Sequence, residues 1–415
     1  MHVFISSIPT TETDDIKIAK NILNGIESAK GSTEKLNGKL KNIFNGKDIF
    51  LFNRGREAMY FVLKELGITE GDEVILQAFT CVAVPTPILW LKAKPIYIDI
   101  DPNNFNINIE SLKEKITSKT KAIIVQHTFG NMVDIKRLKD VIGDKDIYII
   151  EDCAHLFSTS TEVSEANRYS DVSLFSFAQD KAISCVQGGL AVINNPILKS
   201  KMSKEYVHVK EQSVIQARYN AEYIRLWSLI KKYYFTPLIP FYKKITIGKA
   251  LVIIFRRLGL IRQQASNRIE QTPLINKISD IQSHILLNQL PKCNRMNMQR
   301  IKISKIYNEQ LNKELRGLNS ENPLIRYPVI IDNPEEVLHI LSNSGYICGR
   351  WYNSAVFPLD TNLEDVEYKQ GECAMAELLA SKIINLPTNI EVTVSDAIKI
   401  ADIVNKYGKP FKFSN

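Results

Sequence analysis

Cysteine is scarce and unpatterned: the six in this 415-residue chain, at positions 81, 153, 185, 293, 348 and 373, form no Cys-x-x-Cys pair and have no histidine companions at zinc spacing. Free thiols in a reducing cytoplasm are therefore expected, and neither a disulfide framework nor a metal site is. Long apolar runs are missing too. The longest falls well short of the roughly 20 residues that a membrane-spanning helix needs, and Met1-His-Val-Phe-Ile-Ser is too short to read as a secretory leader. There is no internal repeat, no low-complexity tract and no aromatic-basic motif of the kind that binds nucleic acid. What remains is a chain with 45% hydrophobic residues, enough for one large core and a smaller second one.

The most informative residue is Lys181. It closes Ser173-Leu-Phe-Ser-Phe-Ala-Gln-Asp-Lys181, runs on towards Gly188-Gly189, and follows by 29 positions Asp152, the last residue of the apolar run Ile147-Tyr-Ile-Ile-Glu-Asp152. Taken singly, each is more often a surface charge or a turn residue. Together they have the spacing of a pyridoxal phosphate site, in which a lysine forms a Schiff base with the cofactor and an aspartate keeps the pyridine nitrogen protonated. A third element lies upstream. Asn53-Arg-Gly-Arg-Glu-Ala-Met59 follows the apolar run Ile49–Phe52 and opens an amphipathic segment. Gly55 allows a phosphate close to the backbone, the free N–H groups of a following helix favour an anion, and Arg56 adds a fixed charge. The alternative is an ordinary strand-to-helix turn with an exposed arginine.

These segments, with Gly71–Thr80, Ala93–Asp101, Glu151–His155, Lys277–Gln282, Leu287–Leu290 and Ala376–Pro387, resemble the DegT/DnrJ/EryC1/StrS aminotransferases of nucleotide-linked keto sugars. The resemblance covers nearly the whole chain except about 205–272. It implies Lys181 as the cofactor-bearing lysine and proton shuttle, Asp152 as partner of the pyridine nitrogen, and His155 beside the ring. It also implies Ser176 and Gly55-Arg56 as phosphate ligands. Where the family usually has Ser or Thr after the glycine, this chain has Arg56, and where it often has a ring-stacking aromatic, this chain has Cys81. An Asn near 275–277 that reaches a neighbouring subunit's phosphate in the family has no fixed counterpart here. Asp180, next to Lys181, is expected to point to the opposite face if the two lie on a strand.

Apolar β-rich runs at Glu73–Ala78, Pro95–Ile100, Lys121–His127, Ile147–Asp152, Val172–Phe177 and Leu190–Asn194 alternate with helix-length segments, after polar helical stretches at 13–44. That rhythm predicts a mostly parallel sheet covered on both faces, with ligands at the carboxyl ends of the strands. The resemblance makes the expectation specific: an α/β, aspartate aminotransferase-like fold (PLP fold type I) with a seven-stranded sheet and a smaller C-terminal α+β domain. The expected division is 1–204 as the large cofactor-binding domain, 205–272 as an insertion, and 273–415 as a connecting helix and small domain.

Residues 201–262 hold thirteen Lys or Arg and three Glu, a net charge of 13 − 3 = +10 against +8 for the whole chain. Mixed with apolar clusters such as Leu251–Phe255, this reads either as a segment that packs on a dimer partner or as one that settles on an anionic membrane. Gly349-Arg-Trp-Tyr352 concentrates an arginine and two aromatics, so Arg350, Trp351 and Tyr352 are candidate sugar-nucleotide contacts. A hairpin packing its aromatics inward is the alternative. The resemblance implies a homodimeric transaminase that takes an amino group, expected from glutamate, to a keto sugar, in the cytoplasm or at the inner face of the membrane. Two rivals remain: a sugar dehydratase of the same family, whose members replace the lysine with histidine, and a non-catalytic membrane-surface relative.

Overall fold

A computed structural model describes residues 3–4, 9–159, 169–239, 242–261, 273–318 and 320–412. Residues 262–272 of the expected insertion, and most of the N-terminal run Met1–Ser6, lie outside them. The centre is a seven-stranded sheet in the order Asp48–Phe52, Gly189–Ile193, Val172–Ser176, Tyr148–Asp152, Thr120–Gln126, Glu73–Gln77 and Lys94–Ile98. All neighbours are parallel except Gly189–Ile193, which runs antiparallel to both of its own. The β-branched runs become these strands because both faces are covered: Val74, Ile75 and Leu76 are all buried, as parallel strands under helices require.

Helices Thr13–Leu23 and Ser32–Ile43 pack on one side against Val214–Tyr233 and Asp280–Gln289. The first is started by a capping box between Glu12 and Asp15, and buried Asp15 also accepts hydrogen bonds from Asn288, Gln289 and Lys292. Helix Asp280–Gln289 has a second capping box, Ser279 with Gln282. Beyond the long helix Cys293–Gln310, strands Arg326–Ile330 and Ile383–Pro387 form an antiparallel pair, and the last helix, Val394–Tyr407, starts on a Thr393/Asp396 capping box.

Within the expected insertion 205–272, helix Val214–Tyr233 buries Ala221, Tyr223, Ile224, Leu226, Trp227 and Ile230 in the same cluster as the N-terminal helices. Its basic residues lie on the outer side of an amphipathic helix, so net charge concealed its buried face. Helix Ile247–Arg257 differs. Only Gly248 in it is buried, while Ile253 is 54% exposed. Gly248 is required where the two helices cross, because a Cβ there would lie 2.2 Å from the Tyr234 Cα.

Candidate active site

Three strand ends and one turn create the site. Asp152 closes its strand and is buried; its Oδ1 accepts the Ala154 N–H at 3.0 Å, and its carbonyl accepts the His127 N–H at 3.1 Å. Burial pushes its pKa up, while the Ala154 N–H and the positive charge of Lys181 pull it down. Its neighbour Glu151 points to the other face, as strand alternation demands. There it accepts a hydrogen bond from the His127 Nε2–H at 2.9 Å and one from Ser173 at 3.3 Å. The Nδ1 of His127 accepts the Val133 N–H, so the buried trio of His127, Glu151 and Cys153, close enough to hold a cation, spends the His127 and Glu151 ligand atoms on its own hydrogen bonds.

His155 follows the Asp152 turn. Its Nδ1 accepts the Phe129 N–H at 3.1 Å, which puts the ring proton on Nε2, 3.5 Å from the Tyr352 hydroxyl. The turn that presents this N–H needs Gly130, whose φ is +97° and whose Cβ would meet the His155 carbonyl at 3.1 Å. The rings of Phe129 and Tyr352 lie nearly parallel to the imidazole, at 3° and 18°. Burial, with the charges of Lys181 and Arg326, holds the His155 pKa well below its usual value. This imidazole is neutral at physiological pH.

The candidate phosphate turn is assembled from distant segments. Gly55 starts helix Gly55–Glu65 after Arg54, whose side chain does not cap it; the positive end of the helix dipole faces that turn. A Cβ on Gly55 would sit 3.3 Å from the Ser176 Cβ, and one on Gly189 would sit 2.4 Å from the Arg54 carbonyl oxygen. Gly55, Ser176 and Gly189 therefore converge, which explains the glycine requirement on both sides. The fit to a phosphate is good: a narrow backbone cradle, a serine hydroxyl at its rim and the N-terminus of a helix.

Lys181 is half-buried on a turn, with its carbonyl accepting the Thr10 hydroxyl at 3.2 Å. Its charge acts on Asp152, His155, Cys81 and Asp180 alike. Cys81 carries a thiol pushed up by burial and drawn down by the Ala83 N–H, Arg56 and Lys181. Asp180 and Lys181 lie on a turn rather than a strand, so the alternation expected for them does not apply. Asp180 is ion-paired with Arg326.

The three aromatic-loop candidates separate. Tyr352 reaches His155. Trp351 lies over the Arg326 guanidinium, 3.9 Å from its carbon to the ring centroid. Arg350 is not brought to the cluster: its guanidinium donates to the carbonyls of Ala380, Ser381 and Ile383 and pairs with Glu335. Uncapped carbonyls at the end of helix Ala374–Lys382 match a guanidinium fork, so Arg350 is a helix cap.

Sequence reasoning missed Arg326 and the network around Asn53. The Asn53 Oδ1 accepts from Gln212 and Gln282, Gln282 also donates to the Gln187 carbonyl, and the Asn53 N–H donates to the Asn276 carbonyl at 2.9 Å. Asn276 thus sits beside the candidate phosphate turn of its own chain. A buried polar residue within the matching segment Lys277–Gln282 was the available signal.

The chain is similar to a GDP-perosamine synthase of Vibrio cholerae, 34% identical over 166 residues, 40% of this chain and 44% of that protein. It is also 25% identical over 388 residues to the uncharacterized protein MJ1066 of Methanocaldococcus jannaschii, covering 90% and 89% of the two chains. The match thus spans under half of the first relative and most of the second. A putative sugar aminotransferase from Streptococcus pneumoniae, Spr1654, has the same fold, with a TM-score of 0.71 at 19% identity over 97% of each chain. The model of the DegT/DnrJ/EryC1/StrS aminotransferase family matches residues 9–226 and 246–405, leaving only 227–245 of the expected insertion unmatched within that span, and the chain belongs to this family.

Proposed function

We propose that this aminotransferase holds pyridoxal phosphate on Lys181. In this reading it transfers an amino group from an amino acid, with glutamate the expected donor, to a keto group on a nucleotide-linked sugar for amino-sugar or surface-polysaccharide biosynthesis. The observation that carries it is the cradle of Gly55, Ser176 and Gly189 at one strand end, with Asp152 and His155 buried at the end of the neighbouring strand. When bound, the cofactor supplies an electron sink for the carbon that loses its proton. Lys181 would take that proton from the amino acid's carbon in one half-reaction and deliver a proton to the sugar's carbon in the other. Asp152 supplies the buried negative charge that a protonated pyridine nitrogen requires, and neutral His155 donates from Nε2 without adding charge. Gly55, Arg56 and Ser176 hold the phosphate. Cys81, a protonated thiol, supplies a small apolar surface in place of an aromatic ring.

The dehydratase alternative loses weight because Lys181 is retained. Holoenzyme supplied with glutamate and a panel of keto sugar nucleotides is expected to form an amino sugar and 2-oxoglutarate. A deoxy product without amination would favour the dehydratase, and no turnover with any keto sugar would sink the substrate class.

The reading includes a homodimer and peripheral contact with an anionic membrane. No helix among the described residues is long and apolar enough to cross a membrane. Helix Ile247–Arg257 nonetheless exposes Ile253 and Ile254, followed by Leu258, beside Arg256 and Arg257. Exposed aliphatics flanked by basic pairs suit an anionic lipid surface, with attraction that salt screens over a Debye length of about 8 Å. Co-sedimentation with anionic vesicles should exceed that with neutral ones at low salt, and Ile253→Ser/Ile254→Ser/Arg256→Gln/Arg257→Gln should abolish the excess. Equal partitioning of the wild type onto both vesicle types would reject membrane contact.

A further inference from the structure

Arg300 lies near the middle of helix Cys293–Gln310 and is only 2% exposed. Burial draws its pKa from the ordinary guanidinium range down to about 10. Among the described residues no carboxylate lies against it: Nη2 donates to the Ala182 carbonyl at 2.7 Å and Nη1 to the Asn297 Oδ1 at 2.8 Å. A guanidinium buried on two neutral acceptors is costly, and an apolar side chain of similar size would fill the space without that cost. What the arginine adds is two directed bonds.

Both bonds lead to the site. Ala182 directly follows Lys181, so Arg300 fixes the turn that bears the lysine. Asn297 lies on the same face of the helix, three positions before Arg300, which is why the two side chains meet. Its Nδ2 donates to the Phe157 carbonyl at 2.8 Å, and Phe157 lies two residues beyond His155 on the loop that follows Asp152. The result is a continuous relay from the Phe157 carbonyl through the Asn297 amide and the Arg300 guanidinium to the Ala182 carbonyl.

Apolar contact also joins the two segments. The Phe157 ring meets those of Phe175 and Phe177, with centroids 5.7 and 5.2 Å apart. Such contacts are non-directional, whereas a guanidinium bonded to a carbonyl sets the orientation of the peptide that carries it. Thr10, from the N-terminal segment, adds a second grip of the same kind: its N–H donates to the Gln179 carbonyl at 3.1 Å and its hydroxyl to the Lys181 carbonyl at 3.2 Å. Both grips use backbone carbonyls and leave the Lys181 amine uninvolved.

We infer that Arg300 and Asn297 are positioning residues that hold the Lys181 turn in register with the loop of Asp152 and His155, so that one cofactor can engage Lys181 and Asp152 together. The two groups sit on separate loops, and a single ligand has to satisfy both at once. This inference rests on the reading of Lys181 as the cofactor-bearing lysine.

Two readouts on full-length protein separate the relay from its consequence. In the cofactor-free form, hydrogen exchange followed by mass spectrometry should quicken in Arg300→Met for peptides spanning 153–158 and 178–186, while strand Thr120–Gln126 stays unchanged. After addition of pyridoxal phosphate, covalent attachment to Lys181, trapped by borohydride, should slow by about 10- to 100-fold, the loss that a misplaced group causes. Affinity for pyridoxine 5'-phosphate, which has no aldehyde and cannot attach, should be little changed, because the cradle of Gly55, Ser176 and Gly189 does not include the relay. Arg300→Lys should recover part of the rate, since an ammonium still donates to the Ala182 carbonyl. Asn297→Leu should also slow attachment, and the double variant should be no slower than Arg300→Met, because one relay is broken once. A merely structural arginine would weaken pyridoxine phosphate binding and attachment together. Unchanged exchange in both loops, attachment at the wild-type rate in Arg300→Met, or additive losses in the double variant would each overturn the inference. If Arg300→Met fails to fold, Asn297→Leu carries both readouts. Quickened exchange in the variant of a protein whose wild type takes no label on Lys181 would sink the cofactor reading and leave the relay standing. Label on wild-type Lys181 with unchanged exchange in the variant would do the reverse.

Discussion

Borohydride reduction of the cofactor-loaded protein, followed by peptide mapping, should place the pyridoxyl group on Lys181 and on no other residue. Lys181→Ala should lose the label and reduce turnover by at least about 10⁴-fold, the upper end of what a positioned proton-transfer group contributes, because nucleophile and proton carrier vanish together. The variant should still bind the cofactor non-covalently. The cradle of Gly55, Ser176 and Gly189 is made by backbone approach and does not need the lysine. A secondary consequence follows from the shared field. Lys181 lowers the pKa of Asp152, Cys81 and Asp180, so its removal moves all three upward and makes each easier to protonate. Label on another lysine, or near-normal turnover in Lys181→Ala, would refute the assignment.

Six of the seven strands were legible because each is a short apolar run bounded by turns, a pattern that needs no long-range information; Asp48–Phe52 was seen only as the apolar run before the Gly55 turn. Lys181 and Asp152 could be named as candidates because the chemistry proposed for them constrains residue type and order along the chain. Arg326 was invisible for a physical reason. It reads as the first residue of an apolar strand, and its pairing with Asp180 spans 146 positions that only the fold brings together. Arg350 failed in the opposite way: an arginine beside two aromatics has the composition of a ligand site, yet helix carbonyls consume its donors. The buried face of helix Val214–Tyr233 was not legible because net charge averages over a helix whose two faces differ. The opposite facing of Asp180 and Lys181 was conditional on a strand, and the two lie on a turn.

Asp152→Asn should retain the covalent link to Lys181 but slow the proton-abstraction step severely, by about 10²- to 10³-fold, the usual effect of removing one preorganised electrostatic partner. Asparagine cannot supply the negative charge that keeps a pyridine nitrogen protonated, while its size preserves the packing. Stability should move the other way in the apoprotein. Burial raises the Asp152 pKa, so the folded apo form binds its proton more tightly than the unfolded chain does, and the cost of the buried charge is felt in full once pH exceeds the raised value. At neutral pH the Asp152→Asn apoprotein should therefore melt at or above the wild-type temperature. That advantage should fade as pH falls and the wild-type carboxyl takes up its proton. Cofactor loading, which gives the carboxylate a cationic partner, should stabilise the wild type more than the variant. Paired melting curves of the apo and loaded forms at neutral and acidic pH, with stopped-flow measurement of the donor half-reaction, test both halves. Near-normal rates in the variant would show that another group holds the ring nitrogen, and an apo variant clearly less stable than wild type at neutral pH would show that the Asp152 carboxylate is stabilised by the fold itself.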